Sequence, residues 1–152
     1  YKGGLKFMTV EAKVYKLLSS DKEFNELLDR IRGKSFPGGY KQGIFTYAIP
    51  ENPVSVIKPE LAPFVRINPN YEIPVFYADD NNLAEEYRVT INFWCRTGAQ
   101  SEEVAHKMDE ILERNGFERY TANEKPRYKD NDIDLLTNIR KYRFFDWKKE
   151  SE

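Results

Sequence analysis

EYRVTINFWCRT, residues 86–97, is the stretch that decides how the chain folds. Tyr87, Val89, Ile91, Phe93 and Cys95 alternate with Arg88, Thr90, Asn92, Trp94 and Arg96. Successive side chains of a strand point to opposite faces, so the pattern predicts a strand with one apolar and one mostly polar face. The apolar face belongs in a core. The other face is the puzzle, because it carries Trp94 among Thr90, Asn92 and two arginines.

On the C-terminal side, 101–115 predicts an amphipathic helix. Val104, Met108, Ile111 and Leu112 form one stripe, Ser101 stands as its cap, and Glu102 and Glu103 follow in the positive first turn. Gly116 stands where a left-handed residue ends a helix. After a polar segment at 121–134, the β-branched and aromatic run LLTNIRKYRFFDW predicts a long final strand, 135–147.

On the N-terminal side, residues 9–31 read as helix. Val10, Val14, Leu17 and Leu18 recur at helical spacing, as do Phe24, Leu27, Leu28 and Ile31. Ser20, followed by Asp21 and Glu23, marks a fresh helix start, so two short helices or one bent helix are expected. GKSFPGG, 33–39, ends the region. GIFTYAI, 43–49, reads as a strand. Prolines at 50, 53, 59, 63, 69 and 74 then argue against a long helix or a central strand, leaving short extended pieces at Val54–Ile57 and Phe64–Ile67. Residues 68–86 form a long excursion, with Val75 to Tyr77 as the outgoing arm of a protruding hairpin and Asp79 to Asn82 as its turn.

The economical arrangement is α+β: a mainly antiparallel sheet with two amphipathic helical regions packed on one face, its second face left uncovered. Residues 9–147 form one domain in this reading. Residues 1–8 are a flexible lead-in or cloning remnant, and 148–152 a frayed tail.

The bulk composition narrows the function. Of 152 residues, 24 are Lys or Arg and 25 Asp or Glu, for a net charge of -1. That balance argues against a general phosphate-binding role. One cysteine allows no internal disulfide, and Cys95 falls on the apolar face of its strand, as a small buried hydrophobe. No run approaches the roughly 18 apolar residues of a membrane span.

Motifs for chemistry fail on inspection. RGKS, 32–35, lacks the glycine a phosphate loop needs five residues before Gly33; that position is Leu28. DNDID, 130–134, spaces Asp130, Asp132 and Asp134 as in a calcium loop, but the sixth and twelfth positions hold Leu135 and Lys141 in place of glycine and glutamate. His106 has no second histidine and no cysteine pair to bind metal with. No catalytic, cofactor-binding or metal-binding residue is assigned, and no cofactor is expected. RKYRFFDWKK, 140–149, mixes basic and aromatic residues and is open to a nucleic-acid reading. Against it stand Asp146 and the neutral overall charge.

The layout resembles a known family. LLSSDKEFNELL ends the helical region, ELAPFVRINP lies in the proline-rich part, and EYRVTINFWCRT, SEEVAHKMDEILERNGF and TNIRKYRFF follow in order. Over residues 9–147 this order is similar to the tail-terminator, or tail-completion, proteins of long-tailed bacteriophages, including a family from phages and prophages of lactic-acid bacteria. The resemblance implies a structural protein and no enzyme. It implies a self-assembled ring, commonly a hexamer and in some cases formed only on a template, that ends the tail tube and joins it to the head. The implied partners are further copies of the chain, the tail tube protein and the head-tail connector protein, with no membrane and no nucleic acid beyond passing DNA. The implied place is the virion tail, or the host cytoplasm during assembly. No residue role is carried over.

A ring that closes head to tail needs two different patches on each subunit. Trp and Arg are enriched in interface centres, so Arg88, Thr90, Asn92, Trp94 and Arg96 make one candidate patch. The alternative for Trp94 is cover by a second layer of the same chain. Tyr71, Phe76 and Tyr77 on the excursion make the other candidate patch. Other functions stay open: a different head-tail connector or tail tube component, a nucleic-acid module using 140–149, and a small enzyme built from carboxylates distant in sequence.

Overall fold

The computed structural model describes residues 7–40, 42–52, 55–120 and 125–148. Helix α1 spans Val10–Ser20 and α2 spans Lys22–Arg32. Thr9 caps α1, its Oγ1 accepting from the Ala12 amide at 3.2 Å. The predicted break is real, but its cap is Asp21 rather than Ser20. Asp21 Oδ1 accepts from the Phe24 amide at 2.8 Å, whereas the Ser20 hydroxyl turns back to the Lys16 carbonyl. A carboxylate is the better acceptor at a helix N-terminus, where the dipole favours negative charge. Asn25 fixes the corner by donating to the carbonyls of Leu18, Ser19 and Asp21 at 2.7–3.1 Å.

Strand β1, Ile44–Thr46, is shorter than predicted because Tyr47, whose amide still donates to the Ile67 carbonyl at 3.0 Å, has φ of +69° and turns the chain away. Its hydroxyl donates to Glu11 at 2.7 Å. The expected extended piece at Val54–Ile57 falls partly outside the described residues, and 55–58 join no strand. A 3-10 turn at Pro59–Leu61 leads into β2, Phe64–Ala78, which pairs with β3, Asn81–Cys95. Helix α3 spans Gly98–Arg114, β4 is Glu118–Arg119, β5 is Arg127–Asp130 and β6 is Leu135–Trp147. The sheet order is β1-β2-β3-β6, with β4 and β5 both paired to β6. Among the described residues, only the β1–β2 pair is parallel. The observed class is α+β, with a mainly antiparallel six-stranded sheet.

Two sequence expectations are corrected here, and a third, the protruding hairpin, is borne out. Proline density does not exclude a central strand, because β1 covers β2 only at Val65–Ile67. Pro69 and Pro74 lie further along, where the outer edge of β2 has no partner strand among the described residues and a missing amide donor costs little. The excursion at 68–86 is the continuation of β2 and β3 into one long hairpin. It turns at Asp79 and Asp80, both with positive φ, as hairpin turns that match strand twist require. Ser101 does not cap α3. Thr97 does, accepting from the Gln100 amide at 3.1 Å, while Ser101 is fully buried and accepts from Asn138 Nδ2 at 3.0 Å.

The core lies where the strand pattern put it. Val89, Ile91, Phe93 and Cys95 of β3, with Val65, Ile67 and Tyr142 beside them, pack under Val14 and Leu18 of α1, Phe24 and Leu28 of α2, and Met108, Ile111 and Leu112 of α3. The second sheet face is not wholly bare. Phe64, Trp94 and Leu135 on that face are covered by Phe36, Phe45, Ile49 and Leu61 of the same chain. Arg32 ties this cover to α2. Its side chain is fully buried, and its Nε donates to the Leu61 carbonyl at 2.8 Å. Nη2 donates to the carbonyls of Gln42 at 2.9 Å and Pro63 at 2.6 Å, and Nη1 to Asp29 at 2.8 Å. Of the expected tail, the Lys148 amide donates to the Leu83 carbonyl at 2.8 Å, and 149–152 lie outside the described residues.

Cys95 is buried on the helix-covered face, and burial pushes its thiol up to about 12. The fold therefore favours the protonated thiol. That contribution is complete below the ordinary thiol value of about 8.5 and is lost as pH climbs toward 12. At about pH 8 a thiol-specific chromophoric reagent should leave the native chain unlabelled and label the denatured chain fully. Rapid native labelling would contradict this burial.

Candidate functional site

Beyond the helices, β2, β3 and β6 run on as a three-stranded blade. Register sorts its side chains into rows. Tyr71, Arg88 and Arg143 align across the strands; so do Ile73, Glu86 and Phe145, and so do Val75, Ala84 and Trp147. These rows share the face that carries Thr90, Asn92 and Trp94. The alternate rows, Glu72, Tyr87 and Phe144, then Pro74, Glu85 and Asp146, share the helix side.

On the first face, Arg88 is held tightly. Its guanidinium stacks between the rings of Tyr71 at 4.2 Å and Tyr120 at 4.9 Å, and Nε donates to Glu86 at 2.6 Å. Asn70 reaches the Tyr120 hydroxyl at 2.9 Å, which pins the chain after β4 across this face. Asn92 accepts from Arg66 at 3.0 Å, and Thr90 lies half-buried beside it. Arg88, Thr90 and Asn92 are thus brought together, with Tyr71 next to them.

Arg96 and Trp94 stand apart from that patch. Arg96 lies past the end of β3 and donates to the Ile31 carbonyl at 2.9 Å, near the end of α2. Trp94 is only 7% exposed. It stacks on Phe64 with centroids 5.3 Å apart, beneath the layer from 36–61. Of the two readings of Trp94, the structure places a second layer of the same chain over it.

At the blade tip, Phe76 has φ of +56°. A bulky residue in that region is strained, at a cost of order 1–3 kcal/mol. The turn brings its ring onto Trp147 at 4.9 Å in a parallel stack and within 5.5 Å of Phe145. The cluster stays open to solvent, with Phe76 49%, Trp147 56% and the neighbouring Tyr77 63% exposed. Phe145, Trp147 and Arg143 were not singled out for this face in the sequence. The signal was present in the alternation of β6, where Tyr142 and Phe144 face the helices and the odd residues face away, but only the strand register reveals it.

The opposite face of the blade is acidic. Glu85 and Asp146 are direct cross-strand neighbours, and Glu72 lies two residues before Pro74, the third member of their row. Burial first, then the nearby Glu72, Glu85 and Asp146 carboxylates, push the Tyr87 hydroxyl above its ordinary value. With the start of α1 this face walls an open groove of about 1050 Å³, lined by Phe7, Met8, Lys13, Glu72, Tyr87 and Asp146 among others.

The sequence-level chemistry motifs find simpler roles. Arg32 of RGKS is the buried clamp. Asp130 of DNDID caps its own turn, accepting from the Asp132 amide at 3.0 Å. His106 is exposed near Glu102 at 3.8 Å. Among the described residues, no three His, Cys, Asp or Glu side chains are arranged to hold a metal ion, and no helix is long and apolar enough to cross a membrane.

No protein-family profile matches the chain, and no curated protein matches it. Solved structures do. A chain from the virion of a native gene transfer agent particle aligns over 91% of this chain and 95% of its own length, at 14% identity and a TM-score of 0.57. The bacteriophage SPP1 gp17 protein aligns over 92% of this chain and 89% of its own, at 13% identity and a TM-score of 0.48. At these identities, what the chain shares with the gene transfer agent component is its fold.

Proposed function

We propose that the protein is a structural component of a phage or phage-like particle, without enzymatic activity, that closes into a ring at the end of a tail tube and joins tail to head. The observation that carries the reading is the fold shared with a virion chain over nearly the whole length of both. The blade supports it. A strained, solvent-exposed aromatic tip is a contact surface lacking its partner, since large apolar patches on soluble proteins mark interaction sites. In this reading Tyr71, Phe76, Tyr77 and Arg88 make contact, with Thr90 and Asn92 following Arg88 along the same face, away from the tip. Trp94 lies further along the same face, under the second layer, and Arg96 lies past the end of β3. The ring, commonly a hexamer, meets the tail tube protein on one side and the head-tail connector on the other, in the assembling cell and in the virion.

Light scattering across a wide concentration range tests this. A discrete species several chains in mass, or a rise toward one that then stops, is the expected result. Unlimited growth into tubes would indicate a tube protein. A monomer that also fails to cap isolated tail tubes would overturn the reading.

A second reading has its own observation. Lys141, Arg143, Phe145 and Trp147 share one sheet face, which is the arrangement of a base-stacking platform. Binding of single-stranded DNA that weakens steeply with salt would favour it.

A further inference from the structure

We infer that Pro69 and Pro74 close the free edge of the blade to the β2 strand of a second copy, so that contacts between copies are left to the blade's face and tip. This goes beyond the reading above and holds whether or not a ring forms. The Val65 amide donates to the Gly43 carbonyl at 2.8 Å, and the Ile67 carbonyl accepts from the Tyr47 amide at 3.0 Å, both on the β1 side. Backbone groups alternate along a strand, so 65, 67 and 69 direct theirs away from β3. In an antiparallel pair both members face the shared ladder or neither does, so their partners Phe93, Ile91 and Val89 turn toward β6. Consistently, the Leu83 carbonyl of β3 accepts from the Lys148 amide, just past β6. The β2 register shifts at Asn70, after which Glu72 pairs with Tyr87 and Pro74 with Glu85. Tyr87 and Glu85 also turn toward β6, so Glu72 and Pro74 point outward, as Pro69 does. Without the bulge, prolines five residues apart would point in opposite directions, and one would remove a bond from the β2–β3 ladder.

The edge has something to guard. Residues 73–78, IPVFYA, carry no charge, and Ile73, Phe76 and Tyr77 are exposed. An uncharged edge of β-branched and aromatic residues invites another strand. No strand lies along it past Ile67 among the described residues. The matching strand is a second β2, which carries the same segment and can meet the first antiparallel about a two-fold axis. Such a strand would find no amide at 69 or at 74, and past them the positive φ of Phe76 interrupts the extended backbone.

The test restores the amides. A double variant, Pro69→Thr with Pro74→Thr, is compared with the parent by sedimentation velocity over a wide concentration range. It should associate about tenfold more tightly or better, the gain from two recovered hydrogen bonds. Hydrogen exchange should find the new amides at 69 and 74 open in the dilute protein and protected in the associated one. The melting temperature when dilute should stay within a few degrees of the parent, because outward positions leave the β2–β3 ladder intact. Ile73→Thr is the control. Its backbone faces Glu86 across the ladder, so it brings in the same side chain with no outward amide and should gain no association. Phe76→Asn separates the edge from the tip. Asparagine tolerates the left-handed backbone, so this variant should keep its melting temperature and lose the tip contact without opening the edge. A folded double variant that associates no more tightly than the parent overturns the inference, as does an equal gain from Ile73→Thr or an associated state with both new amides open. A double variant that unfolds when dilute would place those amides in the ladder, and overturns it too. The ring reading stands or falls separately, on the parent's own assembly.

Discussion

Arg32→Met should lower stability by about 3–5 kcal/mol, the range for removing one member of a buried ionic network. For a chain of this size that is a drop of roughly 6–20 °C in melting temperature. The size follows from what the guanidinium satisfies. It bridges the carbonyls of Leu61, Gln42 and Pro63 and the carboxylate of Asp29, and it lies 5.0 Å from the Phe36 ring. Burial lowers its pKa and Asp29 opposes that shift, so the charge is kept by its partners. Methionine fills much of the volume but leaves carbonyls unpaired, at about 1–3 kcal/mol each where water cannot reach. Arg32→Lys should recover only part of the loss, since one ammonium cannot reproduce the planar fork. Asp29→Asn should cost much less, because Asp29 is partly solvated and the carbonyl contacts remain. Thermal melts of the three variants check the order. An Arg32→Met protein melting within two or three degrees of the parent would show that the clamp is not what holds the second layer.

That clamp also marks where sequence reading stops. Period-two and helical patterns depend on neighbours along the chain, so they located β3, β6, the helical stretches and the Gly116 turn. The helix-side core follows directly from them. Arg32 could not be found this way. Apart from Asp29, its partners lie up to 31 residues away, and they are backbone carbonyls, which every residue has. Ser101 fails for the same reason. A serine before two glutamates reads as a cap, yet Thr97 takes that role and frees Ser101 to meet Asn138 across the core. The prolines of β2 misled because their cost depends on whether a strand lies alongside, and β1 stops at Thr46. At the candidate surface, Tyr71, Phe76, Tyr77 and Arg88 were visible as aromatics and arginines with no core to enter. Their companions Arg143, Phe145 and Trp147 needed the register of β3 against β6. The cover over Trp94 needed knowledge of an irregular, proline-rich segment whose path no periodicity encodes.

Trp94→Ala should cost about 3–5 kcal/mol, as expected for truncating a buried aromatic. The ring lies against Phe64, under Arg66 at 5.3 Å, and closes the cluster that Ile49, Leu61 and Leu135 share. No other residue of that cluster can expand to fill an indole-sized gap, so the cavity should persist. The loss should also be independent of protein concentration. Stability that comes from association rises with concentration by mass action, whereas stability from packing within one chain does not. Melts over a hundredfold concentration range should therefore show the same drop throughout, and sedimentation of the folded variant should show parent-like assembly. Phe76→Asn should behave in the opposite way, keeping its melting temperature and losing association. Together the two variants separate the layer that holds the sheet from the blade that meets a neighbour. A Trp94→Ala protein that melts normally when dilute, yet fails to assemble when concentrated, would move the contact surface from the blade to the end of β3.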